Sequence, residues 1–239
     1  MPVSICHCFS SSQSAFYFLN GQVQFLQQHN YKISFAVPDD GFVNDLTVMF
    51  PGVDIYIIPI VRNISPFKDL KALIKFVTLF RKERFDIIHL HTPKAGLLGS
   101  IAARLIKHPH IVFHLHGLVS LKWNKLKRGI TLFMEKVPLI LAHSVISVSA
   151  SLEQLCIAKN LVSPTKITTL KYGSINGISY LKKFNPKKID RALHKLTSEL
   201  QTKNKFVVGF LGRMNSDKGL ADIITVANDL NKDIPNLLL

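Results

Sequence analysis

A chain of 239 residues, 47% hydrophobic and 19% charged, is long enough for one large globular core and part of a second. Its formal charge of +15 suits partners that carry phosphate: nucleic acid, an anionic membrane surface or phosphorylated small molecules. Three cysteines exclude a disulfide framework and no apolar run approaches the ~20 residues of a membrane span, so a soluble chain in a reducing cytosol is expected.

The charge is uneven. Residues 1–60 carry one Lys and four Asp, residues 61–140 carry fifteen Lys and Arg against four acids, and residues 141–239 carry fourteen against seven. The N-terminus has no cation before Lys32, so it does not read as a signal peptide. Val3–Cys8 is expected as a strand and Ser14–His29 as a helix. Tyr31–Val37 and Val53–Ile60, rich in β-branched and aromatic residues, are further strands. A helix follows from Pro66, with Ser65 as its N-cap and Leu70, Leu73, Ile74, Val77 and Phe80 near helical spacing.

Asp86–His91 is then a strand, Ala95–Lys107 a helix and Ile111–His116 a strand. A basic helix over Lys122–Ala142, a strand over Ser144–Val148, a helix over Ser151–Lys159 and a strand over Lys166–Leu170 complete the alternation. Such a series predicts a parallel sheet with helices on both faces, and ligands beyond the carboxyl ends of the strands. Residues 179–205 read as a polar, basic linker. Residues 206–239 restart the pattern with a strand, a helix and half a strand, too little to bury both faces of a sheet, so a second domain that is cut short is expected.

The strand period of two puts His89 and His91 on one face, and His114 and His116 likewise. Same-face histidines can chelate a transition metal, but such sites recruit carboxylate or thiolate partners, and only Asp86 is near. The competing expectation is that His89 and His114 are hydrogen-bonded core residues while His91 and His116 emerge at the rim. Thr92 and Pro93 offer an N-cap and a first-turn proline, which places Lys94 in the first turn of a helix. A cation there opposes the helix dipole by about 0.3–1 kcal/mol unless an anion is bound; a solvated lysine is the alternative. The stretch Gly212–Gly219 places Arg213 and Lys218 around a glycine-flanked turn, suited to a diphosphate or simply to solvent. Lys122, Lys125, Lys127 and Arg128 beside Trp123, Leu126 and Ile130 fit an interfacial helix on an anionic membrane, or a solvated basic face. No nucleic-acid-binding motif accompanies the charge.

The stretches "RNISPFKDLKAL", "FDIIHLHTPKAGLLGSIAARL", "HLHGL", "ISVSASL", "YGSINGI" and "VVGFLGRMNSDKG", in this order, resemble the family 4 glycosyltransferases, and most closely the bacterial branch that builds capsule, O-antigen and related glycans on lipid-diphosphate carriers. The resemblance implies a GT-B fold: a Rossmann-like N-terminal acceptor-side domain over residues 1–178, a linker over 179–205, and the start of a second, donor-binding Rossmann-like domain over 206–239. It implies retaining transfer from a nucleotide sugar, such as a UDP-sugar, with no metal or other cofactor and no nucleic-acid partner. His116 would lie against the transferred sugar as the catalytic residue. Gly212, Arg213, Lys218, Asn176 and Gly177 would hold the donor, and His91, Thr92 and Lys94 would line the acceptor side. The lipid-linked acceptor implies a cytoplasmic protein peripheral to the inner face of the membrane. Ser179 stands where the family commonly has Asp. Two readings follow: a glycosyltransferase, of which these 239 residues alone are expected to show no sugar transfer, or a non-catalytic remnant or binding module of a split or frameshifted one, with the missing C-terminal half as a separate chain.

Overall fold

The computed structural model describes residues 2–61, 63–122, 125–177, 184, 185, 198, 205–212, 214, 218–234 and 236–238; side chains from 121 to 128 lie outside that description. The chain divides into two compact units, Met1–Gly177 and Ile178–Leu239.

In the first unit, β1 (Val3–Cys8), β2 (Tyr31–Val37), β3 (Asp54–Ile57), β4 (Ile87–His91), β5 (Ile111–Leu115), β6 (Ser144–Ser147) and β7 (Ile167–Thr169) form one sheet. Its order is β3-β2-β1-β4-β5-β6-β7, and every adjacent pair is parallel. The order reverses between β1 and β4, which makes the carboxyl ends of those strands the switch point where open α/β sheets bind ligands.

Helices pack on both faces. α1 (Ser12–Phe18), α2 (Gln22–Gln28) and α3 (Val43–Met49) cover one face through Ile5, Phe9, Ile33, Phe35 and Phe50. α4 (Pro66–Glu83), α5 (Pro93–Leu105) and α6 (Lys125–Leu141) cover the other, joined there by α7 (Ala150–Ala158). α4 turns Ala72, Phe76, Leu79 and Phe80 inward, each large side chain contributing about 1.5–3 kcal/mol by burial. α5 lies unusually close to the sheet because Gly96 and Gly99 have no Cβ: one at Gly96 would sit 2.6 Å from the Phe113 ring, one at Gly99 2.5 Å from Leu90.

Three expectations need correction. The Ser14–His29 helix is two helices: the first ends at Phe18 with Leu19 as its C-cap, and left-handed Gly21, φ 81, is the N-cap of the second. α3 was not expected; its seven residues carry too short an apolar pattern to stand out. The basic Lys122–Ala142 helix begins only at Lys125, after a 3-10 turn over Val119–Lys122. The interfacial reading of its basic and aromatic side chains falls outside the described residues, as does most of the 179–205 stretch.

In the second unit β8 (Phe206–Val207) pairs in parallel with β9 (Leu237–Leu238), with α8 (Leu220–Asp233) between them in sequence. No residue of α8 is buried, and Phe206, Ile224 and Val226 are exposed.

Candidate active site

The parallel register brings together more histidines than the sequence suggests. His7 of β1 is the partner of His89 on β4, and His91 is the partner of His114 on β5. Because strand partners point to one side, His7, His89, His91, His114 and His116 form a single stack on the face that carries α1–α3. Ring centroids lie 4.4 Å apart for His89 and His91 and 4.7 Å for His114 and His116. Phe9 stacks on His91 at 4.2 Å, and Phe18 lies 4.4 Å from His116.

A hydrogen-bonded line runs through this stack. His7 Nδ1 lies 3.0 Å from His91 Nε2, and His91 Nδ1 lies 3.1 Å from His116 Nε2. Burial holds the imidazoles neutral: it lowers His7 and His116 to about 3 and His114 to about 4, helped at His7 and His116 by His114. His89 and His91 are likewise lowered well below the usual range, by burial first and then by neighbouring histidines. A line of neutral imidazoles has only two proton orders. If protons point from His116 toward His7, the N–H of His7 Nε2 is buried with no acceptor. If they point outward, that atom is only an unshared lone pair, the less costly orphan. The outward order fixes His116 as the Nδ1–H tautomer, and Nδ1 is not among the buried unpaired atoms. The stack therefore delivers one oriented N–H donor to its outer end.

That end lines a cleft of about 270 Å³, with Phe18, Thr92, Pro93, Gly117, Leu118 and Glu135 around it. His116 is half-buried there, as the rim position predicts. His91 is not at the rim: at 1% exposure it lies behind Phe9, with both nitrogens engaged by other histidines. The inner histidines His89 and His114 are buried in the core as expected, but not as hydrogen-bonded residues. Among the described residues His114 has no hydrogen-bond partner on either nitrogen and His89 none on Nε2; ring stacking holds them instead.

Thr92 spans the switch point in a backbone conformation rare for a β-branched residue, φ 61 and ψ 147. Its hydroxyl does not cap α5. It donates to the His91 carbonyl at 2.5 Å and accepts from Ser10 N–H at 3.0 Å. Ser10 Oγ lies 2.7 Å from Thr92 Oγ1 and accepts from Ala95 N–H at 3.0 Å, so the cap of α5 comes from the loop after β1. These bonds hold a conformation that costs on the order of 1–3 kcal/mol.

Lys94 is not a solvated lysine. It is buried, pairs with Asp69 Oδ1 at 2.6 Å and donates to the Asn63 carbonyl at 2.5 Å. The carboxylate that offsets its position at a helix N-terminus comes from the first turn of α4. Glu135 is buried and accepts from the backbone N–H groups of Val119 at 2.5 Å and Ser120 at 3.2 Å, anchoring the loop that follows His116 and Gly117. Asn176 donates to the Tyr17 carbonyl at 2.8 Å, and Gly177 N–H donates to Ser174 Oγ at 3.0 Å. In the second unit Gly212 and Lys218 are exposed, and Arg213 lies outside the described residues.

Two histidine triads, His7/His89/His91 and His91/His114/His116, bring one nitrogen from each residue within 4.8 Å of one another, close enough to consider a metal. They share His91, whose nitrogens already serve the hydrogen-bonded line, and neither contains a carboxylate or thiolate.

The sequence profile of the Glycosyl transferase 4-like domain matches residues 22–173, which hold four of the five histidines, Thr92 and Glu135. The chain belongs to that family. It is 33% identical over 207 residues to the capsular polysaccharide biosynthesis glycosyltransferase CapM of Staphylococcus aureus, across 86% of this chain and 52% of that protein. It is 31% identical over 201 residues to the UDP-Gal:alpha-D-GlcNAc-diphosphoundecaprenol alpha-1,3-galactosyltransferase of Escherichia coli, across 81% and 48%. The chain thus spans about half the length of these relatives. Among solved structures, Anabaena Alr3699/HepE in complex with UDP and glucose matches with a TM-score of 0.68 at 19% identity, covering 98% of this chain and 59% of that one. A Rickettsia africae glycosyltransferase matches with a TM-score of 0.69 at 16% identity, covering 97% and 58%. The fold is the Rossmann-like GT-B type.

Of the residues gathered at this end of the sheet, the sequence pointed to His116 and Thr92 but not to His7, Phe9, Ser10, Asp69 or Glu135. His7 carried no usable signal: its place opposite His89 follows from the β1–β4 register alone.

Proposed function

We propose that the protein carrying these residues transfers a sugar from a nucleotide sugar, a UDP-sugar in the simplest case, to a lipid-diphosphate-linked glycan acceptor during surface-polysaccharide synthesis. The observation that carries this reading is His116 at the cleft on the sheet's carboxyl rim with its Nε2 3.1 Å from His91 Nδ1, from which the outward-pointing Nδ1–H is deduced. A neutral imidazole is a fixed dipole; it gives the transferred sugar a hydrogen bond that needs no reorganisation as charge develops. At a pKa near 3, His116 is not a cationic general acid at neutral pH. Its catalytic role is electrostatic and positional, and His91 works through it rather than on the acceptor. Thr92 lines the acceptor side, and Lys94 shapes that edge through Asp69. Gly212, Arg213 and Lys218 hold the donor diphosphate, with Asn176 and Gly177 in the loop closing the first unit.

Retention of anomeric configuration and independence from metal are part of the proposal. The second is supported by all-histidine triads that would have to surrender the hydrogen-bonded line to bind an ion. The diphosphoundecaprenol acceptor in the name of the Escherichia coli relative supports the acceptor class; action at the inner face of the cytoplasmic membrane is part of the proposal. No described helix is long and apolar enough to cross a membrane. The test is transfer of radiolabelled sugar from a panel of UDP-sugars to an undecaprenyl-diphosphate-linked N-acetylhexosamine, with and without EDTA. Transfer that survives EDTA and falls at least a hundredfold in His116→Ala is expected. Failure to bind any UDP-sugar, or stoichiometric zinc by elemental analysis, overturns the reading.

A further inference from the structure

The outer face of α4 is split lengthwise into an apolar and a basic stripe. Phe67, Leu70 and Ile74, at helical spacings of three and four, are 89%, 56% and 58% exposed. They continue into exposed Ile57 and half-buried Pro59 at and beyond the end of β3, around a groove of about 640 Å³ that also includes Lys71. Beside this stripe run exposed Lys68, Lys71 and Lys75, and among the described residues no carboxylate pairs with them. Single exposed leucines are ordinary on a protein surface; a contiguous apolar stripe backed by three free ammonium groups is not.

We infer that this face of α4 docks on an anionic lipid bilayer, with Phe67, Leu70 and Ile74 entering the acyl boundary and Lys68, Lys71 and Lys75 meeting headgroup phosphates. Charge selects this occupant. A second copy of the chain would bring the same three lysines against a surface of net charge +15, whereas anionic lipid supplies both the counter-charge and the apolar phase. Nucleic acid would match the lysines and leave the apolar stripe wet. The placement fits as well. The first turn of α4 is tied to the first turn of α5 by Asp69 and Lys94 at 2.6 Å, so the patch adjoins the rim that carries Thr92. A bilayer held there keeps an acceptor's lipid in the membrane while its diphosphate-linked head reaches the cleft. That last step rests on the function proposed above; lipid binding itself does not.

The experiment is co-sedimentation of the purified protein with vesicles of phosphatidylglycerol and phosphatidylethanolamine, and separately of phosphatidylcholine alone, without donor. Binding to the anionic vesicles is expected, at least tenfold tighter than to phosphatidylcholine and weakened by salt. It should drop at least tenfold in K68E/K71E/K75E and in F67S/L70S/I74S, both folded by circular dichroism and both with unchanged UDP-sugar affinity. Equal binding to both vesicle types, or undiminished binding of both variants, overturns the inference. So does self-association of the wild type that F67S/L70S/I74S abolishes, or RNA binding that K68E/K71E/K75E abolishes while vesicle binding persists. UDP-sugar binding is scored separately, so loss of the transferase reading and loss of the docking surface are distinguishable.

Discussion

His91 Nδ1 lies 3.1 Å from His116 Nε2, and that contact makes a buried histidine the device that sets which nitrogen of a half-buried one carries the proton. Removing His91 while keeping an aromatic surface for Phe9 should leave the stack packed but release His116 to take either tautomer. For His91→Phe the expected outcome is kcat reduced about tenfold, equivalent to about 1.4 kcal/mol, with KM for the donor changed less than threefold. Steady-state kinetics at pH 7.5 check this; an unchanged kcat would place His91 outside the site's machinery.

The buried stack also predicts acid sensitivity. Folded His7, His114 and His116 titrate at about 3, 4 and 3, while an unfolded histidine titrates near 6.5. Above pH ~6.5 neither state binds these protons, so the stack leaves stability independent of pH. As pH falls below that value the unfolded chain takes up protons that the folded one refuses, and stability declines by as much as about 1.4 kcal/mol per pH unit per histidine. Urea midpoints should therefore be level between pH 7 and 8 and distinctly lower at pH 5. Equal midpoints at pH 5 and 7.5 would contradict neutral burial of the stack.

At Thr92 two substitutions separate the hydroxyl from the backbone. Thr92→Ala keeps φ 61 strained and deletes the bonds to Ser10 and His91, and should cost about 1–2 kcal/mol. Thr92→Gly loses the same bonds but relieves the backbone, so it should unfold at a urea concentration no lower than the alanine variant. A glycine variant clearly less stable than alanine would show that the conformation is unstrained.

Glu135→Ala should destabilise by about 1–3 kcal/mol, because it strands the buried N–H of Ser120 and removes the acceptor of the part-buried Val119 N–H. Glu135→Gln retains an acceptor and should recover at least half of that. Since Glu135 anchors the loop after His116, the alanine variant should also raise KM for the donor. Chemical denaturation and donor titration together check both, and an Ala variant as stable as wild type refutes the anchoring role.

Much of the fold is written locally. The β-branched and aromatic runs locate β1 and β2 to the residue, and Pro66 after Ser65 marks the start of α4. Period two correctly groups His89 with His91 and His114 with His116. What escapes is register and covering. Nothing in the sequence says that His7 falls opposite His89, or that Phe9 closes over His91, since both follow from pairings some eighty residues apart. Lys94 likewise reads as exposed until α4 brings Asp69 against it. Thr92 looks like an N-cap because its neighbours are right for one, yet its positive φ turns the hydroxyl toward Ser10.

The central claim is that a neutral histidine line presents His116 to the sugar as an Nδ1–H donor. It is tested most directly by long-range proton–nitrogen correlation spectra of the imidazoles at pH 7.5, with and without UDP-sugar. The account predicts a protonated Nδ1 and an unprotonated Nε2 for His116, with the Nδ1 signal shifting when the donor binds. An Nε2–H tautomer, an imidazolium, or a signal indifferent to the donor would contradict it.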